Sequence, residues 1–196
     1  MILTTKKGEN EMNEFKATLM SDTKVRTGKV RVSYEHLCEP ASVNDSEPKY
    51  SACVLIPKED TQCIETLELA VEHAKKKGIE KYGKAFAGPK MRSPIHDGDV
   101  EKAGDPAYAG MWYVNITSRE KPQIVGPDRR PITDPSLIYS GIWGRFTMNA
   151  YPYNRSGSGI SFGLLNFQKL EDDEPLGGFR ASAAADFGDP EDDDWL

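Results

Sequence analysis

The chain has 196 residues, 38% of them hydrophobic and 29% charged, with a formal net charge of −6. No apolar run approaches the ~20 residues of a membrane span and no signal peptide is visible at the start, so a soluble, cytoplasmic protein is expected. Cys38, Cys53 and Cys63 are odd in number, lack CxxC spacing and have no paired histidines nearby, so neither a disulfide framework nor a zinc site is suggested and reduced thiols are expected.

The charge is segregated along the chain. Residues 171–196 hold ten acids against the single Arg180, leaving 24 basic and 21 acidic residues in 1–170, a body near +3. Such a split predicts two kinds of partner, an anion for the body and a basic surface for the tail. Residues 1–22 mix Lys, Glu, Asn and Gly without a period and are expected to form a flexible arm.

From Lys24 to Tyr34, Val30, Val32 and Tyr34 alternate with Lys29, Arg31 and Ser33, which predicts a strand with one basic face. Glu39 to Pro48 reads as a loop, and Tyr50, Ala52, Val54 and Ile56 mark a second strand ended by Pro57. Asp60 is placed to cap a helix whose Ile64, Leu67, Val71 and Ala74 share a face. Lys75-Lys76-Lys77 then suits the negative end of that helix.

Residues 84–110 keep no period and read as a long functional or mobile loop. Within it His96, Asp97 and Asp99 cluster, but Asp-Gly-Asp is ordinary turn chemistry and no further ligand converges on them. Gly110 opens another strand, with Trp112, Val114 and Ile116 on a core face and Tyr113, Asn115 and Thr117 opposite. Gln123 to Val125 is a short extended piece, and Asp134-Pro135-Ser136 leads into the stretch from Tyr139 to Leu170.

That stretch predicts a β-hairpin turning at 154–159. Ile142, Phe146, Met148 and Ala150 fall on one face, and Trp143, Arg145, Thr147, Asn149, Tyr151 and Tyr153 on the other. The second face is too aromatic for indifferent surface and too polar for core. Rings beside an arginine on an open sheet suit the stacking of unpaired nucleobases. The inventory of about five strands, one helix and long loops is that of a mainly β, OB-fold-like small barrel over residues 23–170. Residues 171–196 are expected to be a disordered acidic tail, and its tip, Asp192-Asp193-Asp194-Trp195-Leu196, joins carboxylates to an apolar anchor as a protein-docking motif would.

From Met91 onward, an ordered set of short pieces is shared with a known family. It includes Ser93-Pro94-Ile95-His96-Asp97-Gly98-Asp99, Tyr108-Ala109-Gly110, Lys121-Pro122, Tyr139-Ser140-Gly141-Ile142-Trp143, Tyr151-Pro152-Tyr153, Gly157-Ser158-Gly159-Ile160, Gly163-Leu164 and Glu174-Pro175-Leu176-Gly177-Gly178. The chain thereby resembles phage and prophage single-stranded-DNA-binding proteins of OB type. The tail resembles the acidic C-terminus of replicative single-strand-binding proteins. The resemblance implies a role in phage replication and recombination inside the host cytoplasm, with replication and recombination proteins as partners of the tail and room for a homodimer. The expected mechanism is sequence-tolerant: Lys29, Arg31, Arg119 and Arg145 hold phosphates while Tyr113, Trp143, Tyr151 and Tyr153 stack bases.

Glycine-rich phosphate loops and nucleophile elbows are absent, so the protein is not expected to be an enzyme, and no cofactor is expected. Two other readings stand beside this one. A metal-dependent nuclease or hydrolase would use His96, Asp97 and Asp99; a structural virion or scaffold protein would use the aromatic face against another protein.

Overall fold

The structure, a computed structural model, describes residues 15–42 and 46–177. Short strands β1 (Thr18–Leu19) and β2 (Lys24–Arg26) pair with each other, so the described part of the expected N-terminal arm belongs to the sheet. β3 (Val30–Ala41) runs antiparallel to β4 (Lys49–Pro57), extending into what the sequence reads as loop. Helix α1 (Thr61–Tyr82) follows, then β5 (His96–Asp97), a short helix α2 (Gly98–Glu101), β6 (Met111–Ser118), β7 (Gln123–Val125), and the hairpin β8 (Trp143–Asn154) and β9 (Ser158–Glu171).

Five of these strands close a ring. β3 pairs β4, β4 pairs β6, β6 pairs β9 in parallel, β9 pairs β8, and β8 returns to β3 through Val30↔Gly144 and Arg31↔Trp143. Closure leaves the barrel strands few bare edges, as an OB-type barrel requires. The alternation in β8 decides what lies inside: Phe146 and Met148 are fully buried and Ala150 nearly so, joined by Val32, Val54, Ile116 and Phe162 from facing strands. Phe146 and Phe167 meet at 4.6 Å in the middle of this core. Burying side chains of this kind stabilises the fold by ~1.5–3 kcal/mol each before entropy is charged against it.

Asp60 caps α1 as expected, its Oδ1 accepting from the Cys63 amide at 3.0 Å. The helix buries Cys63, Leu67, Ala70 and Ala74 against the barrel, packing chiefly on β8, with Ile64 and Val71 flanking, while Gly78 is buried under the Phe86 ring. No helix among the described residues is long and apolar enough to cross a membrane.

The 84–110 segment is not an open loop. Its carboxylates cap its own turns: Asp97 accepts from the Asp99 amide, Asp99 from the Gly110 amide, and Asp105 from the Ala107 amide. Tyr108, inside the last turn, buries itself on the outer face of β4 with Cys53, Leu55 and Tyr113. β4 is thereby covered on both faces over Ala52 to Ile56.

Candidate nucleic-acid interface

The outward residues of the hairpin set two tyrosines side by side on the barrel surface. Register places Tyr151 opposite Ser161 and Tyr153 opposite Gly159. Tyr151 is 40% exposed. The Tyr153 hydroxyl lies only 2.5 Å from where a Cβ on residue 159 would stand, so glycine there lets the tyrosine lie across the sheet. Small and polar groups, Asn115, Thr117, Ser161 and Gly163, floor the adjoining surface. The result is a shallow trough with both tyrosines along one side, open to a strand of nucleic acid.

At the upstream end the trough deepens. β6 and β9 are in register only at Ile116↔Phe162 and Thr117↔Gly163. Beyond that point the segment from Arg92 to Asp97 crosses between them, bonded to Ser158 and Ile160 on one side and paired with Trp112 and Tyr113 on the other. The cleft so formed measures about 500 Å³ and is bordered by Arg92, His96, Glu101, Asn115, Tyr153 and Ser161 among others.

Tyr113 stands behind this wall. The residue is only 6% exposed, its ring stacked on His96 at 4.9 Å and set in a T-shaped pair with Tyr108 at 5.3 Å. The expectation that Tyr113 offers a free stacking face is therefore corrected: the 92–108 segment packs His96 and Tyr108 against the ring and leaves the residue buried. Its hydroxyl donates to Glu101 Oε2 at 3.2 Å, and His96 Nδ1 lies 3.0 Å from Oε1. The hydrogen bond from His96 holds the Glu101 carboxyl below the usual carboxylate range, while burial pushes the Tyr113 phenol up.

Trp143, Lys29 and Arg31 form a second patch, about 26 Å along β8 from Tyr151 at the usual rise per residue. It is occupied. The residues that leave β9 fold back over it as a strap, so the first part of the expected free tail is docked on the body. Glu171 pairs with Lys29 at 2.5 Å, and Asp173 pairs with Arg31 at 3.2 Å while accepting from Trp143 Nε1 at 2.8 Å. Arg31 Nη2 donates to the Glu174 carbonyl, and the Leu176 amide to Ser140. Gly141, at φ +119°, would set a Cβ 2.3 Å from the Glu174 carbonyl oxygen, so any side chain there would lift the strap.

The other predicted cations have different positions. Arg145 is corrected to a brace: its guanidinium donates to the carbonyls of Thr27 at 3.1 Å and Lys16 at 3.0 Å and covers the Phe15 ring, pinning the N-terminal segment. Arg119 is 73% exposed in a surface pair with Glu47. A pair of this kind is worth ~0–1 kcal/mol, weak enough to exchange for a phosphate. Asp192, Asp193, Asp194, Trp195 and Leu196 lie outside the described residues.

Lys58 is the residue that sequence reasoning missed. Its Nζ sits 2.6 Å from Asp97 and 2.7 Å from Asp99, and 4.8 Å above the Trp112 ring. The ammonium supplies the cation for which the two aspartates otherwise resemble metal ligands. Among the described residues no three His, Cys, Asp or Glu side chains are grouped to hold a metal ion.

Comparison with known proteins places this geometry. The chain is 28% identical to the bacteriophage Enc34 single-stranded-DNA-binding protein solved in complex with single-stranded DNA, with a TM-score of 0.71 covering 84% of this chain and 99% of that one. The bacteriophage T7 single-stranded-DNA-binding protein gp2.5 shares the fold at 14% identity and a TM-score of 0.62, over 84% of this chain and 94% of that one. A putative protein p50 of Acyrthosiphon pisum secondary endosymbiont phage 1 is 28% identical over 173 residues, 85% of this chain and 93% of the relative. The family model of the Enterobacter phage Enc34 single-stranded-DNA-binding protein matches residues 23–196, and the chain belongs to that family.

Proposed function

We propose that this protein binds single-stranded DNA in phage replication and recombination in the host cytoplasm, along the trough walled by Tyr151 and Tyr153. The observation that carries the reading is the pairing of the exposed Tyr151 ring and the half-buried Tyr153 ring with a polar, small-residue floor on a closed barrel. Exposed rings reward unpaired bases by ~1–3 kcal/mol each, whereas duplex bases are already stacked and hidden. Arg92 and Arg119 meet phosphates at the two ends of the floor. Lys29, Arg31 and Trp143 join the path only where the strap is displaced.

Fluorescence anisotropy with single-stranded and duplex oligonucleotides across a salt series tests this. Single strands should bind and duplexes of the same sequence should not. Arg92→Gln should weaken all single strands alike and flatten the dependence of log K on log salt by ~0.7. Equal affinity for duplex would overturn the reading. Stable self-assembly without any nucleic-acid binding would support the scaffold reading instead.

The acidic tip, residues 192–196, is proposed to dock replication and recombination proteins through its carboxylates and Trp195-Leu196 anchor, and to compete with phosphate on its own or a neighbouring subunit. Deleting residues 186–196 should tighten single-strand binding a few-fold at low salt and abolish co-purification of such a partner. An affinity indifferent to the deletion at every salt concentration argues against competition.

A further inference from the structure

The cleft at the head of the trough has more chemistry than phosphate binding or stacking requires. Two rings border it, Tyr153 from the hairpin and His96, whose other side is backed by Tyr113 at 4.9 Å. At about 500 Å³ it falls in the range of small-molecule sites. Arg92, exposed at its rim, suits the phosphate of a nucleotide whose base points inward.

The polar border is asymmetric. Asn115 and Ser161 can donate or accept, but Glu101 can only accept while it is ionised, and its position is fixed from behind by His96 Nδ1 and the Tyr113 hydroxyl. A carboxylate held in this way has oxygen lone pairs left for a donor from the cleft. Of the two pyrimidines, cytosine presents an exocyclic amino group there and thymine a carbonyl oxygen.

We propose that this cleft holds one nucleobase of the bound strand between Tyr153 and His96, and that Glu101 makes it favour cytosine over thymine. The inference rests on the single-strand-binding reading and adds one selective position to an otherwise tolerant path. Asn115 and Ser161 serve the remaining ring nitrogen and carbonyl of the base, which both pyrimidines can satisfy, so the discrimination lies with Glu101.

The test uses the full chain at neutral pH with oligo-dC and oligo-dT of equal length. Wild type should bind oligo-dC roughly five- to tenfold more tightly, the lower part of what a base-edge contact discriminates. Glu101→Gln, whose amide can donate to a carbonyl, should bring the ratio to one or reverse it. Tyr151→Ala, outside the cleft, should weaken both and keep the ratio. The wild-type ratio is read first, so a Glu101 variant that fails to fold leaves the test decisive. Oligo-dT bound as well as oligo-dC by wild type, or a ratio that survives Glu101→Gln, overturns the subsite and leaves single-strand binding standing. Binding of neither oligonucleotide overturns both.

Discussion

Replacing Tyr151 and Tyr153 together by alanine lowers affinity for single-stranded DNA by about 2–6 kcal/mol, thirtyfold or more, if each ring stacks one base. The two side chains stand on the same face of β8, two residues apart, which is ~6.8 Å along a strand, twice the ~3.4 Å rise of stacked bases. Each can therefore take a base of its own, or the pair can hold one between them. Neither ring belongs to the packed core, so the double variant should unfold at a temperature close to that of wild type. Phenylalanine at both positions keeps the stacking area and should bind almost as wild type does. If the alanine pair binds within twofold of wild type, the trough is not the path of the strand. A loss shared by the phenylalanine pair would shift the contribution from the rings to the hydroxyls.

The barrel was legible because its core is written as alternation. Ile142, Phe146, Met148 and Ala150 read as one face and are all buried. The helix was legible for the same reason, with Asp60 supplying its start. The outward face was legible as chemistry but not as accessibility. Period two tells which residues leave the barrel, and says nothing of a third layer laid over them by distant segments. Tyr113 reads like Tyr151 along the chain, yet residues 92–108 cover the first and leave the second open. That covering segment has no period because it is built from capped turns, and the apolar Pro94, Ile95 and Tyr108 spaced through it were the available sign that it packs. Arg145 was misjudged for a related reason. Its partners are backbone carbonyls of Thr27 and Lys16, and a carbonyl acceptor leaves no mark in a sequence.

The strap leads to the second large effect. Glu171→Gln with Asp173→Asn should tighten single-strand binding on the order of tenfold at low salt, because the patch loses the two carboxylates that compete with phosphate there. Lys29 and Arg31, the latter still held by the Gly141 and Glu174 carbonyls, can then draw a phosphate to themselves. Each cation that does so steepens the salt dependence by ~0.7, so the log–log slope should grow by up to ~1.4 and the advantage should fade as salt rises. The pH dependence has a definite sign. The Trp143 hydrogen bond holds the Asp173 carboxyl below its ordinary value of 3.8, and Lys169 does the same for Asp172. A depressed carboxylate contributes its hold on the strap above that ordinary value and loses it as pH falls through the lower, folded one. Wild-type tryptophan emission should therefore change below 3.8 as Asp173 releases Trp143 Nε1, and the double variant should lack that transition. Since these acids are exposed, the cost to global stability is small and the readout is local. Should the double variant match wild type in both affinity and slope, the strap is a fixed brace, and Lys29, Arg31 and Trp143 hold the start of the tail and never meet DNA.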